Sequence, residues 1–185
     1  MYLLYIRITK CSLSLMFLLP ISLYAQVNSL TGGGGYVFTN IEEADADGSG
    51  YRINLQYDYK PIGSSVSYGL HFGYINVTGS TSQTDYTIST LPIAFVPKFY
   101  FGDGNLQPFL KGVIGVQFSD IERAGSATTL TAKDSGIIAG LGAGARYVVS
   151  EKISLNLDYE FAYLANSFYR DGYMNSVSLG LGFNF

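Results

Sequence analysis

Along eight successive stretches of this chain, apolar side chains alternate with small or polar ones, and the apolar set carries no charge. The alternation predicts strands near 30–41, 50–60, 65–77, 86–101, 107–119, 135–149, 153–164 and 173–185, each bounded by turn residues. The apolar face runs through Tyr51, Ile53, Leu55, Tyr57 and Tyr59, through Ile153, Leu155, Leu157, Tyr159, Phe161 and Tyr163, and through Val177, Leu179, Leu181, Phe183 and Phe185. Charged residues make up 14% of the chain, yet they avoid these positions entirely. A soluble barrel would turn such a stripe inward, but an eight-stranded interior has room for few large side chains. Hydrocarbon outside the barrel accounts for the stripe, because a basic side chain at mid-membrane costs about 2–4 kcal/mol. The expected fold is all-β: an eight-stranded antiparallel up-and-down transmembrane β-barrel. A lipocalin-like soluble barrel is the alternative.

The start of the chain agrees with this reading. Arg7 and Lys10 precede the apolar run from Leu13 to Ile21, and Ala25 supplies a small residue at a cleavage position. Residues 1–25 are read as a cleaved signal peptide and 26–185 as the barrel domain. The apolar run is about half the length a helix needs to cross a bilayer. Removing Arg7 and Lys10 from the 11 basic residues leaves 9 against 14 acidic ones, a balance that disfavours nucleic acid. Cys11 precedes the apolar run, so it fits no lipid attachment site and leaves with the leader.

Connections alternate in length. Pro61 to Ser64, Gly102 to Leu106 and Ser150 to Lys152 are short, whereas Glu42 to Gly48, Thr78 to Thr84, Ser119 to Asp134 and Ala165 to Gly172 are longer and polar. Short periplasmic turns and long outer loops are the habit of bacterial barrels, and an even strand number places both termini in the periplasm. The long third loop is the first choice for a partner contact.

The opposite face is expected to be small and polar, with Gly33, Gly69, Gly115, Gly140, Gly142 and Gly144 among many glycines. It also carries Arg52, Asp58, His71, Lys98, Lys111, Arg146, Asp158 and Glu160, so four firm cations meet three carboxylates. Charges in a narrow lumen must be paired. The reading is a plug of ion pairs, with Arg146 joined to Asp158 or Glu160 on the adjoining strand. The rival is a narrow conduit for small solutes. Gly140-Leu-Gly142-Ala-Gly144 lacks the spacing and the strand-to-helix setting of a phosphate loop. Asp45, Asp47 and Gly48 lack the remaining ligand positions of a calcium loop. No metal, cofactor or catalytic residue is assigned.

The leader, the eight strands, the stretch Leu91-Pro-Ile-Ala-Phe-Val-Pro-Lys-Phe-Tyr-Phe-Gly102, the segment Gln107-Pro-Phe-Leu-Lys-Gly112 and the glycine-rich run from Ala139 to Tyr147 together resemble the outer-membrane protein beta-barrel family, which includes the membrane domain of outer-membrane protein A. The last strand, ending in Phe183 and Phe185, resembles the C-terminal signal read by the barrel-assembly machinery. The resemblance implies a monomer in the outer membrane of a Gram-negative cell, in contact with lipid and lipopolysaccharide. Its role would be in envelope structure or surface interaction through external loops of undetermined ligand; the alternative is a narrow porin-like channel. Lipid A deacylases of similar size carry His followed two residues later by Ser, but here His71 is followed by Gly73, so no enzyme is expected. Pro92 and Pro97 each remove a ladder hydrogen bond, so the fourth strand is expected to bulge or to begin late. No cell-wall-binding domain is expected after Phe185.

Overall fold

The computed structural model describes residues 26–41, 46–81, 84–125 and 129–185. The leader with Cys11, and Glu42, Glu43 and Asp45, lie outside these residues. Eight antiparallel strands close into a barrel in chain order: β1 Gln26–Ile41, β2 Ala46–Pro61, β3 Val66–Ser80, β4 Thr84–Tyr100, β5 Leu106–Gly125, β6 Thr129–Val148, β7 Ile153–Leu164 and β8 Tyr169–Asn184. At the seam the Asn28 N–H donates to the Phe185 carbonyl and the Phe185 N–H to that of Asn28, at 3.0 and 2.9 Å. The base of the barrel holds Gln26, Phe185 and three tight turns; the crown is the opposite end. Gly63 and Gly102 adopt φ of 72° and 88° in two basal turns, a conformation costly for any side chain with a Cβ.

The predicted outward face is the exterior: Ile53, Leu141, Leu179 and Leu181 are 59–72% exposed. Rings flank this aliphatic band, with Tyr57, Tyr68, Phe99, Tyr147 and Phe183 toward the base and Tyr36, Tyr51, Phe118, Tyr163 and Tyr173 toward the crown. Such paired aromatic girdles mark the two interfaces of a bilayer.

Three expectations are corrected. Of the expected loop from Ser119 to Asp134, residues 119–125 and 129–134 are strand, because β5 and β6 each run on to 20 residues. A membrane crossing needs only about 9–11. The fourth strand neither bulges nor starts late: pairing skips Gly73 and Tyr74 on the β3 side and Val96 and Pro97 on the β5 side, but the register on each side of the gap is the same. Pro92 therefore turns its missing N–H toward β3 and Pro97 toward β5, so neither neighbour loses two adjacent bonds.

The third correction concerns the interior, which is polar only in part. Toward the crown its inward positions are aliphatic, and Ile41, Ile75, Val77, Ile88, Ile121, Leu164 and Met174 form a core with no exposed surface. Phe168 from the β7–β8 connection and Tyr169 at the start of β8 join it. The same strands turn Asn76, Thr78, Asp120 and Glu122 outward here. Within the membrane the barrel is apolar outside, and above the crown girdle it is apolar inside, as the two surrounding solvents require.

Candidate functional site in the barrel lumen

Between the aliphatic crown and the base, the lumen is crossed by two charge clusters. In the first, Arg52 on β2 reaches across to Glu160 on β7, Nη1 to Oε1 at 3.1 Å, and also donates to Ser176 Oγ at 2.7 Å. Lys111 on β5 donates to Glu160 Oε2 at 2.7 Å and to Asp158 Oδ1. In the second, Lys98 Nζ meets Asp58 Oδ2 at 2.9 Å, while Gln56 donates to the other carboxylate oxygen at 2.8 Å. Lys98 and Lys111 face one another in register on β4 and β5. Each bends away to its own acid, which relieves a juxtaposition of like charges.

Glycine makes room for this arrangement. A Cβ at Gly142, the register partner of Lys111, would lie 2.6 Å from Lys111 Cε and 2.5 Å from the Tyr159 carbonyl oxygen. Without a side chain there, the lysine stem lies across β6 toward β7.

His71 Nε2 lies 3.3 Å from Arg52 Nη2; the guanidinium can only donate, so this nitrogen accepts. The ring is 6% exposed and faces the lumen.

Of the eight charged or titratable lumen residues singled out from sequence, the structure joins seven in these clusters and leaves Arg146 apart. The expected bond from Arg146 to Asp158 or Glu160 is absent. Arg146 faces Asn156 in the β6–β7 ladder, while Asp158 faces Gly144 one step further in. Over Gly144 lies the ring of Phe109, with Cζ 2.6 Å from where a Cβ would be. The ring stands between Arg146 and the acids, which Lys111 and Arg52 already hold. Arg146 turns to the base instead and donates to Asn184 Oδ1 at 2.6 Å.

Sequence reasoning also missed Lys60, whose ammonium stacks 4.7 Å above the Tyr100 ring, and the Tyr100–Phe109 pair, 5.6 Å between centroids, that closes the lumen below Lys98. The signal was the continued inward parity of β2 beyond Asp58. Inside the lumen a cavity of about 30 Å³ lies between Arg52, His71, Lys98, Lys111 and Asp158. That is room for about one water. Among the described residues no cluster of His, Cys, Asp and Glu is arranged to hold a metal.

A closed eight-stranded barrel with an uncharged exterior band between two aromatic girdles and a charge-paired lumen defines a class of outer-membrane protein. Residues 11–185 match the outer membrane protein beta-barrel domain family, and the chain belongs to it. Its solved relatives share the fold at low sequence identity. Neisserial surface protein A superposes with a TM-score of 0.63 at 12% identity, covering 86% of this chain and 97% of that one. Ail, the attachment invasion locus protein of Yersinia pestis, gives 0.58 at 15% identity over 87% and 99%. A major outer membrane protein of Thermus thermophilus gives 0.62 at 10% identity over 86% and 99%. No curated protein sequence matches the chain significantly.

Proposed function

We propose that this chain is a closed structural barrel of the bacterial outer membrane, inserted with its base toward the periplasm, and that it works through its crown rather than through its lumen. The observation that carries this reading is the double filling of the interior: ion pairs and the Tyr100–Phe109 pair below, and an aliphatic core without exposed surface above. A lumen cavity of only about 30 Å³ supports a barrel that passes no solute. The buried histidine, held against Arg52, supports a role without catalysis.

The crown has its own chemistry. Among the described residues Asp47, Asp85, Asp120, Glu122, Asp134 and Asp171 outnumber the basic positions Arg123, Lys133 and Arg170 there. An acidic rim favours cationic partners, or divalent ions that bridge it to anionic lipopolysaccharide. Ail has been crystallised with the heparin analogue sucrose octasulfate; the charge of the crown here argues against a polyanion. At the end of β8 and just past it, Phe183 and Phe185 are 52% and 62% exposed on the lipid side, where the assembly machinery can reach them.

Planar-bilayer recording on the refolded protein tests the closed lumen: no unitary steps are expected, and steady steps altered by Lys98→Ala or Lys111→Ala would overturn the reading in favour of a narrow channel. The crown is tested by binding to a cationic peptide, which should weaken when Asp120 and Glu122 are changed to Asn and Gln.

A further inference from the structure

The lumen cations and carboxylates of the two clusters balance at three each: Arg52, Lys98 and Lys111 against Asp58, Asp158 and Glu160. Arg146 is left over. Its side chain is 7% exposed, the ion pairs of the described residues do not include it, and its Nε has no hydrogen-bond partner. Its one side-chain bond goes to a neutral acceptor, Asn184 Oδ1. A buried guanidinium without an anion is costly, and proteins seldom leave one so.

The residue opens onto a cavity. At the basal mouth a space of about 290 Å³ is lined by Arg146, Lys60, Gln107 and Asn184, with Asp103 and Glu151 on the exposed turns at its rim. Gln107 is the register partner of Arg146 and adds an amide beside it. Lys60 enters from the opposite side, its ammonium over Tyr100. The two rim carboxylates face water and are screened by it, whereas Arg146 is not.

We propose that the basal mouth binds a phosphate-type oxyanion, held by the Arg146 guanidinium from within and by the Lys60 ammonium from the rim. The planar fork of arginine matches a tetrahedral oxyanion with two parallel hydrogen bonds, and lysine supplies a mobile second charge. Asn184 is a positioning residue that holds Nη2 and leaves the other terminal nitrogen, Nη1, for the ligand, with the buried Nε–H beside it as a reporter. The phosphate has two sources, free phosphate in the bathing compartment or the headgroup of a lipid in the adjoining leaflet. The site goes beyond the crown-based reading and does not depend on which way the barrel is inserted.

The experiment follows the arginine Nε–H resonances of ¹⁵N-labelled full-length protein, with Arg146 assigned by Arg146→Gln. In maltoside micelles, which contain no phosphate, millimolar inorganic phosphate should move the Arg146 signal saturably while that of Arg52 stays still. Lys60→Gln should weaken the apparent affinity about tenfold, the worth of one charge-assisted hydrogen bond. In phospholipid nanodiscs, a signal already shifted before phosphate is added identifies the headgroup as the source, and one that still titrates identifies the free ion; both sustain the site. An Arg146 resonance indifferent to phosphate in micelles, or a titration unchanged in Lys60→Gln, overturns it. Should Arg146→Gln fail to fold, Arg146→Lys, which keeps the charge, supplies the assignment instead.

Discussion

Glu160→Gln removes the one carboxylate that two buried cations share. Coulomb's law at an effective dielectric of about 20 gives about 5 kcal/mol for the 3.1 Å contact with Arg52 and about 6 kcal/mol for the 2.7 Å contact with Lys111. Those gross attractions are offset by desolvation, and breaking a buried pair from one side costs about 3–5 kcal/mol net. Lys111 keeps Asp158, but Arg52 retains only Ser176 and His71, both neutral acceptors. The loss should therefore fall near the middle of that range, about 4 kcal/mol. Lys111→Met should cost less, about 2 kcal/mol, because Glu160 still has Arg52 and Asp158 is partly open to water. The chain has no tryptophan, so urea unfolding in lipid vesicles is followed by far-ultraviolet circular dichroism and by the gel shift between folded and unfolded barrels. The double variant Arg52→Gln/Glu160→Gln closes the cycle and should cost at least about 2 kcal/mol less than the sum of its singles. Strict additivity, or a loss below about 1 kcal/mol for Glu160→Gln, would refute the claim that these charges hold one another.

Three further outcomes are expected. Ile121→Ala, in the crown core, should destabilise by about 3 kcal/mol and speed proteolysis of the β5–β6 hairpin, with the basal turns left resistant. Gly142→Ala should cost about 1–3 kcal/mol in the same unfolding assay because the methyl displaces Lys111, while Gly32→Ala, whose outward Cβ meets nothing within 4 Å, should cost almost nothing. On the crown, the backbone N–H and then the hydroxyl of Ser167 donate to Asp134 and hold its carboxyl below the ordinary 3.8. A depressed carboxylate stabilises above its unfolded value and loses that effect as pH falls through the folded one. The Ser167 amide resonance should hence titrate with a midpoint under 3.8, and not at all in Asp134→Asn.

The exterior was legible because hydrocarbon tolerates no ambiguity: Leu141, Leu155 and Leu179 sit at strict period two, with nothing charged between Tyr51 and Tyr59 on that parity. The crown was not. Ile121 occupies an inward position between Asp120 and Glu122 and reads as a loop when only one solvent is assumed, while Ile75, Val77 and Ile88 fall in expected strands but on the face expected to be small and polar. The membership of the charged set follows from parity, but its partners do not. Arg52 and Glu160 sit on strands that are not neighbours, and only the tilt and closure of the barrel bring them together. Local pairing rules chose Arg146 for Glu160 and Asp158, and a single ring, Phe109 over Gly144, forbids it.

The reversal of polarity between girdle and crown also acts as a depth gauge. Sinking the cylinder by one residue pair would draw Asp120 and Glu122 into the acyl region, and lifting it would strand Ile137 and Phe118 in water. Thinner or thicker lipid must accordingly deform around this molecule, since the molecule itself has almost no freedom to slide.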